Sequence, residues 1–263
     1  MIRAYLEIAK KSFQNNIVYR VDYFASLINT IAMIFINVAI WKAIYEEEEV
    51  LGGVQLQIVI TYIVLGFLMQ SIFAMEDYFI ESKVTSGLIS SDLLKPLSFR
   101  TYIFSYNVGL TVFRIIMQFF PSLLISVIFL KLLPPFSCRM FIFFVISTAL
   151  GYLVLYCLNF IVWVSSFWFY YTFSLVTIKD ALVVIMSGAL VPLWFMPQWL
   201  YDFIRLTPFD SIYFIPISIY LGQVPINEIA FAIIKQVLWI SVLAITGHVL
   251  WKFATKKLVL QGG

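Results

Sequence analysis

Apolar residues in this chain come in long unbroken runs. They show neither the alternation of a half-buried strand nor the one-sided period of a soluble helix. Six runs approach the roughly 20 residues that a helix needs to cross a bilayer: Tyr23–Ile44, Val54–Met75, Val112–Leu130, Phe141–Phe167, Leu182–Phe195 with its continuation, and Ile229–Trp251. A transmembrane β-barrel would alternate apolar and polar positions instead. The pattern therefore predicts an all-α integral membrane protein with six transmembrane helices in one domain, residues 1–263, with no internal repeat.

Three intervals depart from that pattern. In residues 1–20, Ile2, Leu6 and Ile8 or Ala9 fall among Arg3, Glu7, Lys10 and Lys11. This spacing predicts a one-sided helix lying on the membrane surface, not a signal peptide with a compact apolar block. Residues 76–100, "EDYFIESKVTSGLISSDLLKPLSFR", read as two short amphipathic pieces divided by Ser86-Gly87 and stopped by Lys95-Pro96. A short helix with an apolar face outside the membrane needs a partner surface or the membrane itself. In residues 188–222, prolines stand at 192, 197, 208 and 216 among apolar neighbours. A helix cannot pass these prolines unbent. The reading is a fifth helix that rises, breaks near Pro192–Pro197, and continues as short re-entrant helices at the outer surface. Trp194, Trp199, Tyr201 and Tyr213 would then sit at the outer interface.

Composition agrees. Of 263 residues, 62% are hydrophobic and 12% charged, about half the charged share of a soluble domain. The net charge of +3 is spread without a basic stripe, which gives no reason to expect nucleic acid. The distribution of the 17 basic residues does set an orientation. With the N-terminus inside, eleven face the cytoplasm: Arg3, Lys10, Lys11, Arg20, Lys83, Lys95, Arg100, Lys179, Lys252, Lys256 and Lys257. Five face outward, namely Lys42, Lys131, Arg139, Arg205 and Lys235, with Arg114 near the start of the third span. The positive-inside rule places both termini in the cytoplasm.

Candidate chemistry is sparse. Cys138 and Cys157 fit no metal or disulfide pattern. His248 is the one histidine, and it reads as a satisfied polar group. No zinc-hydrolase signature or phosphate-cradling loop occurs, and "VLGGVQ" lacks the lysine and hydroxyl that such a loop requires. Glu76, Asp77, Asp180, Asp202 and Asp210 read as interfacial charges at span edges or in the outer segment. An intramembrane transferase or protease would need polar catalytic groups at matched depths, and the pattern supplies none.

The stretches "GLISSDLLKPLSF" (Gly87–Phe99), "SGALVPLWFMPQWL" (Ser187–Leu200), "TPFDSIYFIPISIYLGQ" (Thr207–Gln223), "KQVLWI" (Lys235–Ile240) and "VLQGG" (Val259–Gly263) together resemble the permease subunit of bacterial type-2 ATP-binding-cassette exporters, in the six-span branch without a fused ATPase. The resemblance covers nearly the whole chain. It implies a permease domain of the bacterial cytoplasmic membrane, paired with a second permease, identical or paralogous, and with two cytoplasmic ATPase subunits. ATP and Mg would belong to those subunits, and this chain would hold no cofactor. Carried over by position, Gly87, Leu88, Asp92, Leu93, Leu94, Lys95 and Pro96 would contact the ATPase. Pro192, Pro197, Trp199 and Pro208 would shape the outer gate, and Phe67, Phe73, Phe160 and Trp163 would line a substrate path. The acidic run Glu46–Glu49 is not a mark of the family. The implied cargo is an amphipathic or hydrophobic small molecule, drug, peptide or lipid-like substrate, and export follows from the resemblance alone. The residues by themselves leave open an ion-coupled secondary transporter or a non-transporting membrane assembly protein.

Overall fold

The computed structural model describes residues 2–18, 20–46 and 50–257. The C-terminal "VLQGG" and Glu47–Glu49 lie outside the described residues. The elements in chain order are α1 (Ile2–Val18), α2 (Arg20–Tyr45), a hairpin of β1 (Val50–Leu51) and β2 (Val54–Gln55), α3 (Leu56–Phe73), α4 (Phe79–Thr85), α5 (Leu88–Leu93), α6 (Phe99–Arg114), α7 (Phe120–Leu130), α8 (Cys138–Val164), α9 (Ser166–Phe169), α10 (Phe173–Met186), α11 (Gln198–Arg205), α12 (Phe214–Tyr220) and α13 (Ile226–Lys256). Among the described residues, five continuous helical stretches are long and apolar enough to cross a membrane: Asp22–Tyr45, Leu56–Phe73, Phe99–Leu130, Cys138–Phe169 and Ile226–Lys256. Their outer faces are studded with exposed Ile, Leu, Val and Phe side chains. Such faces are stable only against lipid or another apolar chain. This is an all-α, multi-pass membrane protein.

Helix α3 is the most enclosed of these elements. It packs beside α2 and against the end of α6, and Val59, Tyr62, Ile63, Val64 and Leu68 are sealed from solvent. Helices α8 and α13 pack along each other. Helix α1 packs on α6. Ser12 Oγ donates to the Tyr106 carbonyl (2.8 Å), the Ser98 N–H donates to Tyr5 Oη (3.0 Å), and Phe13 meets Phe113 edge-on. A Cβ on Gly109 would lie 2.1 Å from the Ala9 carbonyl oxygen, so only glycine lets these two helices touch backbone to backbone.

The third apolar run begins 13 residues earlier than its hydropathy predicts, at Phe99 rather than Val112. The polar residues Ser105, Asn107 and Thr111 belong to the same helix. They are accommodated because Ser105 and Asn107 are buried against protein rather than facing lipid. Between α6 and α7 the ladder widens over Ile115–Phe119 into one π turn. Pro121, which follows, has no N–H to give, and its ring crowds the carbonyl one turn back.

The fifth apolar run is the main correction. Its helix is α10, Phe173–Met186, not Leu182–Phe195, and it ends before the prolines are reached. Ser187 caps it, and Gly188 takes a left-handed φ of +75°, the glycine stop that commonly ends helices. The Tyr62 hydroxyl donates to the Gly188 carbonyl at 2.7 Å, and the Phe214 N–H donates to Ser187 O. Pro192 and Pro197 act downstream, each standing just ahead of a short helical piece, Leu193–Phe195 and α11.

Candidate functional site

The interval between α3 and α6 folds as two short helices, α4 and α5. Gly87, with φ +73°, makes the bend between α4 and α5, as its Ser-Gly sequence predicts. Ile80 and Ile89 anchor the pair in the main core, and Phe79 stacks on Tyr106 with centroids 4.7 Å apart. Asp92 is almost fully buried and sits between two ammonium groups, Lys83 and Lys95, the latter at 2.6 Å. Burial alone raises the Asp92 carboxyl. The hydrogen bonds and charges of the two lysines outweigh it and hold the group below its ordinary value.

Of the seven loop residues singled out in the sequence, the structure therefore turns Asp92 inward as the brace of the loop and half-buries Leu93. Gly87, Leu88, Leu94, Lys95 and Pro96 are exposed. Leu88 and Leu94 stand out at 59% and 87% exposure, apolar tips that no neighbour among the described residues covers.

This loop is tied to α10. Glu81 of α4 accepts from the Thr172 N–H (2.7 Å) and hydroxyl at the start of α10. About two turns further along, Lys179 donates to Asp77 (3.1 Å) and to Asn159 Oδ1 (2.8 Å), while Trp163 Nε1 donates to the same Asp77 carboxylate. Lys179 is buried. The pair Lys179-Asp180 thus does not mark a span edge: it lies in the middle of a helix, and Asp77 and Asp180 both neutralise the lysine.

The far end of α10 leads into the proline-rich interval, which runs deep into the fold. The Ala189 carbonyl lies against Gly66 of α3, and Leu193–Phe195 return to the hairpin end, where Phe195 packs on Trp41 (5.0 Å). After α11 the chain descends again. The Ile212 carbonyl lies 2.6 Å from where a Gly151 Cβ would stand, at the centre of α8, and Tyr213 packs on Phe73, the last residue of α3. Helix α12 then climbs back, and the Phe136 N–H donates to the Tyr220 carbonyl. Tyr213 is thus a core residue rather than an interfacial one, and Trp194 is half-buried. Trp199 does face outward at 72% exposure, and Pro192 and Pro208 are buried.

At the bottom of this descent is a polar knot that the sequence reading missed. Asp210 is 2% exposed and accepts from Lys235 of α13 at 2.6 Å. Beside it, Gln236 donates to the backbone carbonyls of Ser147 (3.0 Å) and Ser211 (2.8 Å), and accepts from the Ser147 hydroxyl (3.0 Å). One amide side chain satisfies the broken backbone and bridges α8, α13 and the interval between them. Asp210 is thus enclosed by protein and paired with Lys235 rather than exposed at the surface. Alongside lies a cavity of about 280 Å³ bounded in part by Trp194, Arg205, Asp210, Glu228 and Lys235.

The four aromatic residues assigned to a substrate path are dispersed. Phe73 and Trp163 are enclosed in the core, Phe67 is half-buried between two core clusters, and Phe160 lines a separate cavity between α6 and α13.

A family model described as ABC-2 family transporter protein matches residues 6–262. The chain belongs to this family. It is the transmembrane permease component of an ABC transporter, which works with an ATP-hydrolysing partner subunit. No curated protein gives a significant match. Among the described residues, the loop Glu76–Ser98 and the interval Ser187–Val224 are two places where this chain departs from a plain helical bundle, and α10 lies between them in the chain.

Proposed function

We propose that this permease is driven by two cytoplasmic ATPase subunits docked on α4 and α5, and that it exports an amphipathic or hydrophobic substrate across the bacterial cytoplasmic membrane together with a second permease. The observation that carries this reading is the continuous mechanical path from loop to gate. The Glu81–Thr172 bonds fix the loop to the start of α10, Lys179 fixes its middle, and Ser187 and Gly188 hold its end against Phe214 and Tyr62. A push on α5 then moves α10 as a strut and reaches the interval that closes the outer end. ATP binding draws the ATPases together and favours the arrangement in which that interval opens, and hydrolysis restores the closed one.

The proposed permease has six crossings, the sixth being α10, and the packing of its ends supports that count. Helix α8 finishes beside the loop end and α13 begins at the hairpin end, so the chain between them crosses once. Helix α10, at 14 residues, spans only about 21 Å of the roughly 30 Å core, and in this reading the irregular Ser187–Phe195 completes the distance. In this reading the chain after α11 dips to Gly151 and α12 carries it back, a re-entrant pass within the membrane. The loop end, with its excess of Lys and Arg, is cytoplasmic. Asp77 and Asp210 are each ion-paired with a lysine, so in this reading they serve as clamps between elements rather than as carriers of a coupling ion.

The test is a Leu88→Asp, Leu94→Asp double variant. Both side chains are exposed, so the fold is kept. The variant inserts normally, but loses ATPase co-purification and at least about tenfold of its ATP-driven transport, the loss expected when two apolar docking contacts worth over 1 kcal/mol are replaced by charges. Unchanged transport would remove the loop from the coupling role.

A further inference from the structure

The cavity between α6 and α13 has no part in the path from loop to gate, and its chemistry is specific. Its volume is about 280 Å³. Phe104 of α6, Tyr156, Cys157 and Phe160 of α8, and Leu243 and Ala244 of α13 form its apolar walls. One end is closed by two bridges between α6 and α13. Phe99 stacks on Trp251 with centroids 5.3 Å apart, and Arg100 donates to His248 Nδ1 at 2.6 Å. An arginine only donates, so the imidazole accepts at Nδ1 and carries its proton on Nε2.

Arg100 therefore spends one N–H on a neutral acceptor, and its guanidinium also lies over the Phe160 ring at 5.4 Å. Among the described residues, no carboxylate lies within ion-pair distance of it. The first turn of α6 has no acidic residue, so the partial positive charge of that helix end adds to the guanidinium. Lys252 is exposed one turn beyond His248 on the same face of α13. The site is thus a narrow apolar slot with unneutralised positive charge at one end.

Its depth is set by α13. His248 is 22 residues into that helix, about 33 Å from its start, where a core of roughly 30 Å gives way to headgroups. Thr101, which lines the cavity, is exposed, so the slot opens on the outer surface of the bundle.

We infer that this slot holds one anionic phospholipid of the cytoplasmic leaflet, its phosphate on Arg100 and Lys252 and an acyl chain against Phe104, Tyr156 and Leu243. A zwitterionic lipid would bring its own cation next to the guanidinium and lose the advantage. The assignment of leaflet rests on the orientation proposed above. The preference for an anionic headgroup does not, and it is measured without transport.

The experiment is native mass spectrometry of the purified permease, with whatever partner subunits accompany it, after delipidation and addition of equimolar phosphatidylglycerol and phosphatidylcholine. Wild type retains one phosphatidylglycerol in about fivefold excess over phosphatidylcholine, the size of one basic residue's attraction to an anionic surface. Arg100→Gln brings the ratio close to even, while Arg100→Lys keeps most of the excess. Ala244→Leu, which fills the slot from the opposite helix, lowers the bound lipid of either kind and tests the site independently of Arg100. An undiminished phosphatidylglycerol excess in Arg100→Gln would overturn the assignment, as would undiminished lipid retention by Ala244→Leu or equal retention of the two lipids by wild type.

Discussion

At Asp210 a carboxylate is almost completely removed from solvent and depends on one lysine 25 positions further along the chain. Paired, it costs little. Stripped of Lys235, it becomes an uncompensated buried charge, a change that usually costs about 3–5 kcal/mol. Lys235→Met therefore lowers the thermal stability of the purified permease sharply, and adding Asp210→Asn recovers most of the loss because no net charge then remains buried. Melting curves of the single and double variants in one detergent check this. If Lys235→Met melts like wild type, the pair is no clamp. Such pairs were not legible in the sequence. Asp210 sits among prolines and aromatics and reads as a surface residue, and Asp77 and Lys179 are 102 positions apart. A charge next to an apolar run looks like the end of a span until its partner is seen.

Between elements, the loop of α4 and α5 behaves as a unit held by Asp92. Its lowered carboxyl contributes stability that is fully present above the ordinary carboxylate value of about 3.9, and that is lost as pH falls through the lower folded value. Lys95 has the opposite sign. The Asp92 hydrogen bond and charge raise it, so its share is present below the ordinary lysine value of about 10.4 and is lost as pH rises through the folded one. Protection of the Leu88–Leu94 amides from hydrogen exchange is therefore flat between about pH 5 and pH 9 and falls only outside that window. A midpoint inside it would show that the ion pairs do not hold the loop. The two pieces and their Gly87 bend were readable in advance, because Ser-Gly is local turn chemistry. The bounds of α10 were not. The window Leu182–Phe195 has the higher hydropathy, but the helix is ended by Gly188 and by contacts with Tyr62 and Phe214 that lie far away in sequence.

Over the whole molecule, membrane character was legible from end to end. An uninterrupted apolar run has little choice but to be a helix facing lipid or other helices. The depth reached by the proline-rich interval was not legible, because it depends on Gly66 and Gly151 receiving its backbone and on Gln236 satisfying it. In the proposed mechanism, α10 transmits motion only if a partner pushes on the loop. The most direct test of the account is a mild-detergent pull-down of this permease from its native membrane, with quantitative mass spectrometry of the proteins that accompany it. The account predicts a P-loop ATPase in near-equal amount to the permease chains, and the protein composition then separates an identical second permease from a paralogous one. A permease that came alone, and remained alone when a non-hydrolysable ATP analogue was added, would contradict it.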